Sequence, residues 1–118
     1  MATIAQTSMR SNGQATVTTT NSTASDTLTY AAGTFQVLEI RNTTGTSKTV
    51  TITGSTATTI VPPGYGGTLS VAAGKAITVG ANATVIVPLD SISGYLSGNI
   101  TLTNTGVAND LVYALYAL

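Results

Sequence analysis

Short runs of β-branched and apolar residues, each cut off by glycine, proline or asparagine, recur along most of this chain. They are Thr34–Arg41, Lys48–Thr53, Thr58–Val61, Thr68–Val71, Ala76–Val79, Thr84–Val87, Ile100–Thr103 and Leu111–Leu118. The breaks between them include Asn42–Ser47, Gly54–Ser55, Pro62–Gly64, Ala72–Lys75, Gly80–Asn82 and Pro88–Asp90. Branching at Cβ crowds a helical turn and suits a pleated strand. No segment of ten residues or more carries helical i, i+3, i+4 patterning. About eight short strands with frequent turn signals predict an all-β fold, an antiparallel β-sandwich of jelly-roll or immunoglobulin-like type.

The run Lys48–Thr53 alternates cleanly, with Val50 and Ile52 on one face and threonines on the other. In Thr34–Arg41, Phe35, Val37 and Glu39 share one face, and Gln36, Leu38 and Ile40 share the other. Both faces are partly apolar, which predicts an internal strand. Residues 34–53 together read as a hairpin with a long loop. The last run, Leu111–Leu118, is apolar on both faces and places Tyr113 and Tyr116 on opposite sides. A monomer must bury it centrally, and the alternative, that its second face is covered by another subunit, is the expectation. The first 26 residues are polar and low in complexity, so residues 1–26 are expected to form an extended N-terminal arm and 27–118 the single β-sandwich domain.

Composition narrows the function. The 118 residues include 25 threonines, four Lys+Arg and four Asp+Glu, and no histidine, cysteine or tryptophan. Leu, Ile, Val and Phe number 28, about 24% and above the roughly 20% level that marks disorder. Without His or Cys, no Ser-His-Asp or Cys-His system and no Cys/His zinc site can be assembled. Asp26, Glu39, Asp90 and Asp110 are scattered and form no metal-ligand spacing. Asp90, at a strand end before Ser91, is the carboxylate to watch. Gly64-Tyr65-Gly66-Gly67 lacks the lysine of a phosphate loop and reads as a turn that presents Tyr65. The four Asn-x-Ser/Thr matches, at Asn21, Asn42, Asn82 and Asn99, are the chance yield of so many threonines. Four cations against four anions give no footprint for a nucleic-acid backbone or an anionic membrane. The start, Met1–Arg10, has neither a basic stretch nor an apolar run of leader length. The expectation is therefore a non-enzymatic protein without cofactor, made in a cytoplasm.

Gly33–Asn42 and Lys48–Thr53, followed by Thr68–Gly74, Val85–Leu89, Tyr95, Gly98–Thr103 and the closing apolar strand, resemble the small decoration, or cement, proteins of tailed-bacteriophage heads. The resemblance covers residues 33–118 and is one of strands and turns. It departs where family members often carry an acidic residue after the tyrosine and a basic one near the end. Here Leu96 and Ser97 follow Tyr95, and no basic residue follows Lys75. The resemblance implies a virion component on the outer capsid surface. Its partner would be the major capsid protein, and it would be a homo-oligomer with a trimer favoured. The expected protein contacts are Arg10 in the arm, Tyr65 in its loop, and Leu111, Val112, Tyr113, Leu115, Tyr116 and Leu118 in the end strand. The alternative is an extracellular β-sandwich adhesin or carbohydrate-binding module, for which the five tyrosines are the only aromatic supply of note.

Overall fold

The structure, a computed structural model, describes residues 2–9, 14–31, 33–61, 64 and 66–117. Its strands are β1 (Gln6–Ser8), β2 (Thr19–Asn21), β3 (Ser25–Leu28), β4 (Gln36–Asn42), β5 (Lys48–Gly54), β6 (Thr59–Ile60), β7 (Leu69–Ser70), β8 (Lys75–Val79), β9 (Thr84–Pro88), β10 (Ile100–Asn104) and β11 (Leu111–Ala117). A 3-10 helix, Leu89–Tyr95, links β9 to β10. One sheet runs β9, β4, β11, with β1 and β2 sharing the far edge of β11. The second runs β3, β10, β5, β8, and β6 pairs with β7 in a small separate hairpin. The sheets face each other. Leu38, Ile40, Val87, Leu111, Tyr113 and Leu115 of the first meet Leu28, Val50, Ile52, Val79, Ile100 and Leu102 of the second in one core. This is the all-β sandwich that the strand pattern predicts.

The hairpin expected over 34–53 is corrected. β4 pairs with β11 and β9, whereas β5 pairs with β10 and β8, so residues 43–47 carry the chain from one sheet to the other. Alternation specifies which face is buried and not which strand lies alongside, so both arrangements satisfy the same pattern. The corner is held by Asn42, which is 1% exposed. Its Nδ2 donates to the carbonyls of Thr46, Val79 and Gly80, and its Oδ1 accepts from the Thr44 amide and hydroxyl.

β11 takes the central place that its double-sided apolar pattern demands of a single chain, with Leu111, Tyr113 and Leu115 turned into the core. β11 lies inside its sheet, paired with β4 along its whole length from Leu111↔Asn42 to Ala117↔Gln36. Its other edge is taken by β2 at residues 112–114 and by β1, in parallel, at 115–117.

Residues 2–8, placed by sequence in the arm, belong to the sandwich. The Ile4 amide donates to Thr27 O (2.8 Å) and the Thr27 amide to Ala2 O (2.9 Å), which seals the edge of β3. Two residues later the same segment pairs with β11 in the opposite sheet. Ile4, between the two attachments, is 3% exposed and part of the core. Such burial contributes about 1.5–3 kcal/mol.

Three substitutions test this packing by urea unfolding. Ile4→Ala lowers the unfolding free energy by about 2–4 kcal/mol, while Ala5→Ser, at an exposed neighbour, stays within about 0.5 kcal/mol. Gly54→Ala is strongly destabilising, because a Cβ there would meet the Ser97 amide nitrogen and the Tyr95 carbonyl at 2.6 Å.

Candidate functional site

Arg10, Tyr65 and Leu118 lie outside the described residues. Leu111 and Tyr113 are fully buried and Leu115 is 1% exposed, so these three pack the core and offer no surface to a partner. Alternation turns Val112 and Tyr116 the other way, half-buried on the outer face of the five-stranded sheet.

That outer face is a grid set by strand register. Pro88, Val37 and Tyr116 form one row across β9, β4 and β11. Ile86, Glu39 and Ala114 form the next, and Thr84, Arg41 and Val112 the third. Phe35, two residues before Val37, extends the β4 column and is 45% exposed. Ile86 is 53% exposed. Six of the nine grid positions are apolar or aromatic, on the side of the sheet that faces away from the core. The double-sided apolar character of Thr34–Arg41 and Leu111–Leu118 is the sequence signal for this face. Its members Val37, Glu39, Arg41, Ile86 and Pro88 are not among the contacts expected from sequence, because the register that assembles them is long-range.

The face carries one charge of each sign. The Tyr116 hydroxyl donates to Glu39 Oε2 at 3.3 Å. Burial, and then the Glu39 charge, raise the Tyr116 pKa, and Arg41 opposes them. Among the described residues the ion pair is Lys48–Asp110, at 3.4 Å. Glu39 and Arg41, on neighbouring rows, do not pair with each other.

The carboxylates stay apart. Asp26 is fully buried and accepts from the Ala2 amide and from the Thr23 amide and hydroxyl. Asp90, in the 3-10 helix, is exposed and accepts from the Tyr30 hydroxyl at 2.8 Å, which raises the tyrosine's pKa. Among the described residues no three metal-ligating side chains come together. An open groove of about 460 Å³ runs between Thr27–Tyr30 and Gly98–Thr101. Its lining combines threonine, asparagine and glycine with Leu28, Ile100 and a single aromatic ring, Tyr30.

Among the described residues Tyr113 is the exception to polar satisfaction in the interior. Its hydroxyl is buried without a hydrogen-bond partner. Burial, with the Asp26 charge adding to it, pushes the Tyr113 pKa up to about 12. The Asn104 side chain, which pulls the Tyr113 pKa down, donates to Thr23 O and accepts from the Gly106 amide. A tyrosine is neutral when protonated. A raised folded-state pKa therefore leaves stability intact below the unfolded value, about 10, and removes it as pH climbs through about 12. In a phenolate absorbance titration, one tyrosine ionises only near that pH and together with loss of the fold. Tyr113→Phe removes this last step. At neutral pH it raises stability by up to about 1 kcal/mol, since an unbonded buried hydroxyl is costly. A loss there would show that the hydroxyl is bonded after all.

No protein-family model, curated protein or solved structure matches the chain.

Proposed function

We propose that this chain is a non-enzymatic capsid decoration protein. It would bind the outer surface of a tailed-phage major capsid protein shell and stabilise the shell by bridging neighbouring subunits. The resemblance over residues 33–118 suggests the class. The observation that carries the bridging role is the distribution of exposed apolar side chains. Phe35 and Ile86 stand on the outer sheet face. Val61 (70% exposed) and Leu69 flank the β6–β7 loop, which branches from the other sheet between β5 and β8. A bridge needs two contact surfaces, and contiguous exposed apolar side chains mark where proteins associate. Sparse charge makes both surfaces dependent on apolar and hydrogen-bonded contacts.

The test is co-sedimentation of the purified chain with mature shells assembled from the major capsid protein encoded beside it. The chain pellets with the shells and stays bound in 1 M salt, where the Debye length is about 3 Å and exposed ion pairs are screened. At a hundredfold excess over the dissociation constant, binding stabilises each site by about 2.7 kcal/mol, and the shells disassemble at higher temperature. Absence from the pellet, or release by salt alone, counts against this function. The groove beside Tyr30 favours a second reading, a carbohydrate-binding module, and glycan binding without shell binding would select it.

A further inference from the structure

The outer face of the five-stranded sheet has a charge arrangement that is complementary to itself. Glu39 and Arg41 stand two residues apart on β4, about 7 Å along the strand, with Ile40 between them pointing into the core. We propose that two copies of the chain pack face to face through these sheets in a two-fold, antiparallel arrangement. Glu39 of each copy then lies opposite Arg41 of the other.

Three observations point to a second copy as the occupant. A two-fold axis lying in the interface and crossing β4 at Ile40 exchanges positions 39 and 41, so two ion pairs form at once. An axis along the strand would instead set like charges against each other. Covering the face also requires an anion for Arg41, because a buried unpaired charge costs several kcal/mol. Among the described residues Arg41 has no ion-pair partner, whereas the partner copy supplies one at the right height. Finally, a formal net charge of zero puts no long-range repulsion between copies.

Across this axis Ile86 of one copy meets Thr84 of the other and Val112 meets Ala114, while the Pro88–Val37–Tyr116 row flanks the charges at the level of the partner's Thr43. Sheets stacked this way sit about 10 Å apart and cross at about 30°. β4 and β11 are seven residues long, β9 five, and β1 and β2 three each, so the face projects at most about 400 Å². That is no more than about half of what a standard-sized interface buries per partner, so the dimer is weak. The resemblance implies three subunits, and this geometry supports two. The dimer does not depend on the capsid reading. Where that reading also holds, the antiparallel arrangement puts the two β6–β7 hairpins toward opposite ends of the pair, as a bridge requires.

Sedimentation equilibrium of the purified chain, without shells, tests the dimer separately from capsid binding. The parent self-associates to two and no further. Glu39→Arg and Arg41→Glu each weaken association at least tenfold, because each sets two like-charged pairs face to face. An equimolar mixture of the two variants associates at least as well as the parent, since every pair is then opposite in sign. The double variant E39R/R41E dimerises within about threefold of the parent. Ile86→Asp, at an exposed position clear of the core, also breaks the dimer, and circular dichroism confirms that each variant remains folded. A parent that stays monomeric up to 500 µM, a trimer, or single variants that associate like the parent would each overturn the proposal. So would a mixture that fails to recover association.

Discussion

The sandwich depends on hydrogen bonds along both edges of its last strand. Leu111, Tyr113, Ala114 and Leu115 of β11 are all but sealed from solvent. A free edge there would leave backbone groups without water and without partners, at a cost of about 1–3 kcal/mol each. β4 satisfies one edge over seven residue pairs. The other is satisfied by two three-residue strands from the polar start of the chain, one parallel and one antiparallel. Those residues need little apolar character, because what they contribute is backbone. Ile4 is the exception, since it lies where the segment crosses from one sheet to the other. One flank of the sandwich is thus closed by a single segment that ties β3 to β11.

Polar residues in the interior mark where strands end. Gln36 and Asn42 bracket β4, and both are buried. Gln36 bonds Gln6, Thr29 O and the Ala31 amide, and Asn42 bonds both sides of the corner between the sheets. Asp26 holds the Ala2 amide and the turn at Thr23. Ser22 accepts from the Leu111 amide. Each bonds backbone that changes direction, so these groups fix the length of the strands rather than add to the apolar core. They also remove candidates for chemistry, because a carboxylate as buried and occupied as Asp26 is structural.

Most of the strands were legible because their signals are local. The Val50/Ile52 alternation, the turn at Gly80–Asn82 and the stop at Pro88 each lie within a few residues of the element they define. What could not be read was pairing. The passage from β4 to β5 looks like a hairpin in sequence, and only Asn42 bonded to Val79 and Gly80, far along the chain, makes it a crossing between sheets. β1 was invisible for the same reason, since three polar residues carry no periodicity and their partner is more than a hundred residues away. The end strand was correctly read as apolar on both faces, and Tyr113 and Tyr116 do point to opposite sides. The inward set proved to be core, leaving Val112 and Tyr116 as the accessible part of the expected contact.

The two flanks of the sandwich bear on how such a chain can associate. Opposite the closed flank, β8 and β9 are outermost in their sheets. Free edges recruit other strands unless they are short, charged or interrupted by proline. β8 and β9 are five residues each, Lys75 begins the first, and Pro88, lacking an amide proton, ends the second. Half of the chain's lysines are therefore spent on a β-edge, while the broad outer face nearby holds only Glu39 and Arg41. Edge pairing is open-ended and leads to aggregates, whereas face packing around a two-fold axis closes on itself. Guarding the edge and leaving the face apolar favours the closed mode. Threonine, which hydrogen-bonds water without carrying charge, keeps the rest of the surface soluble without placing further charge on that face.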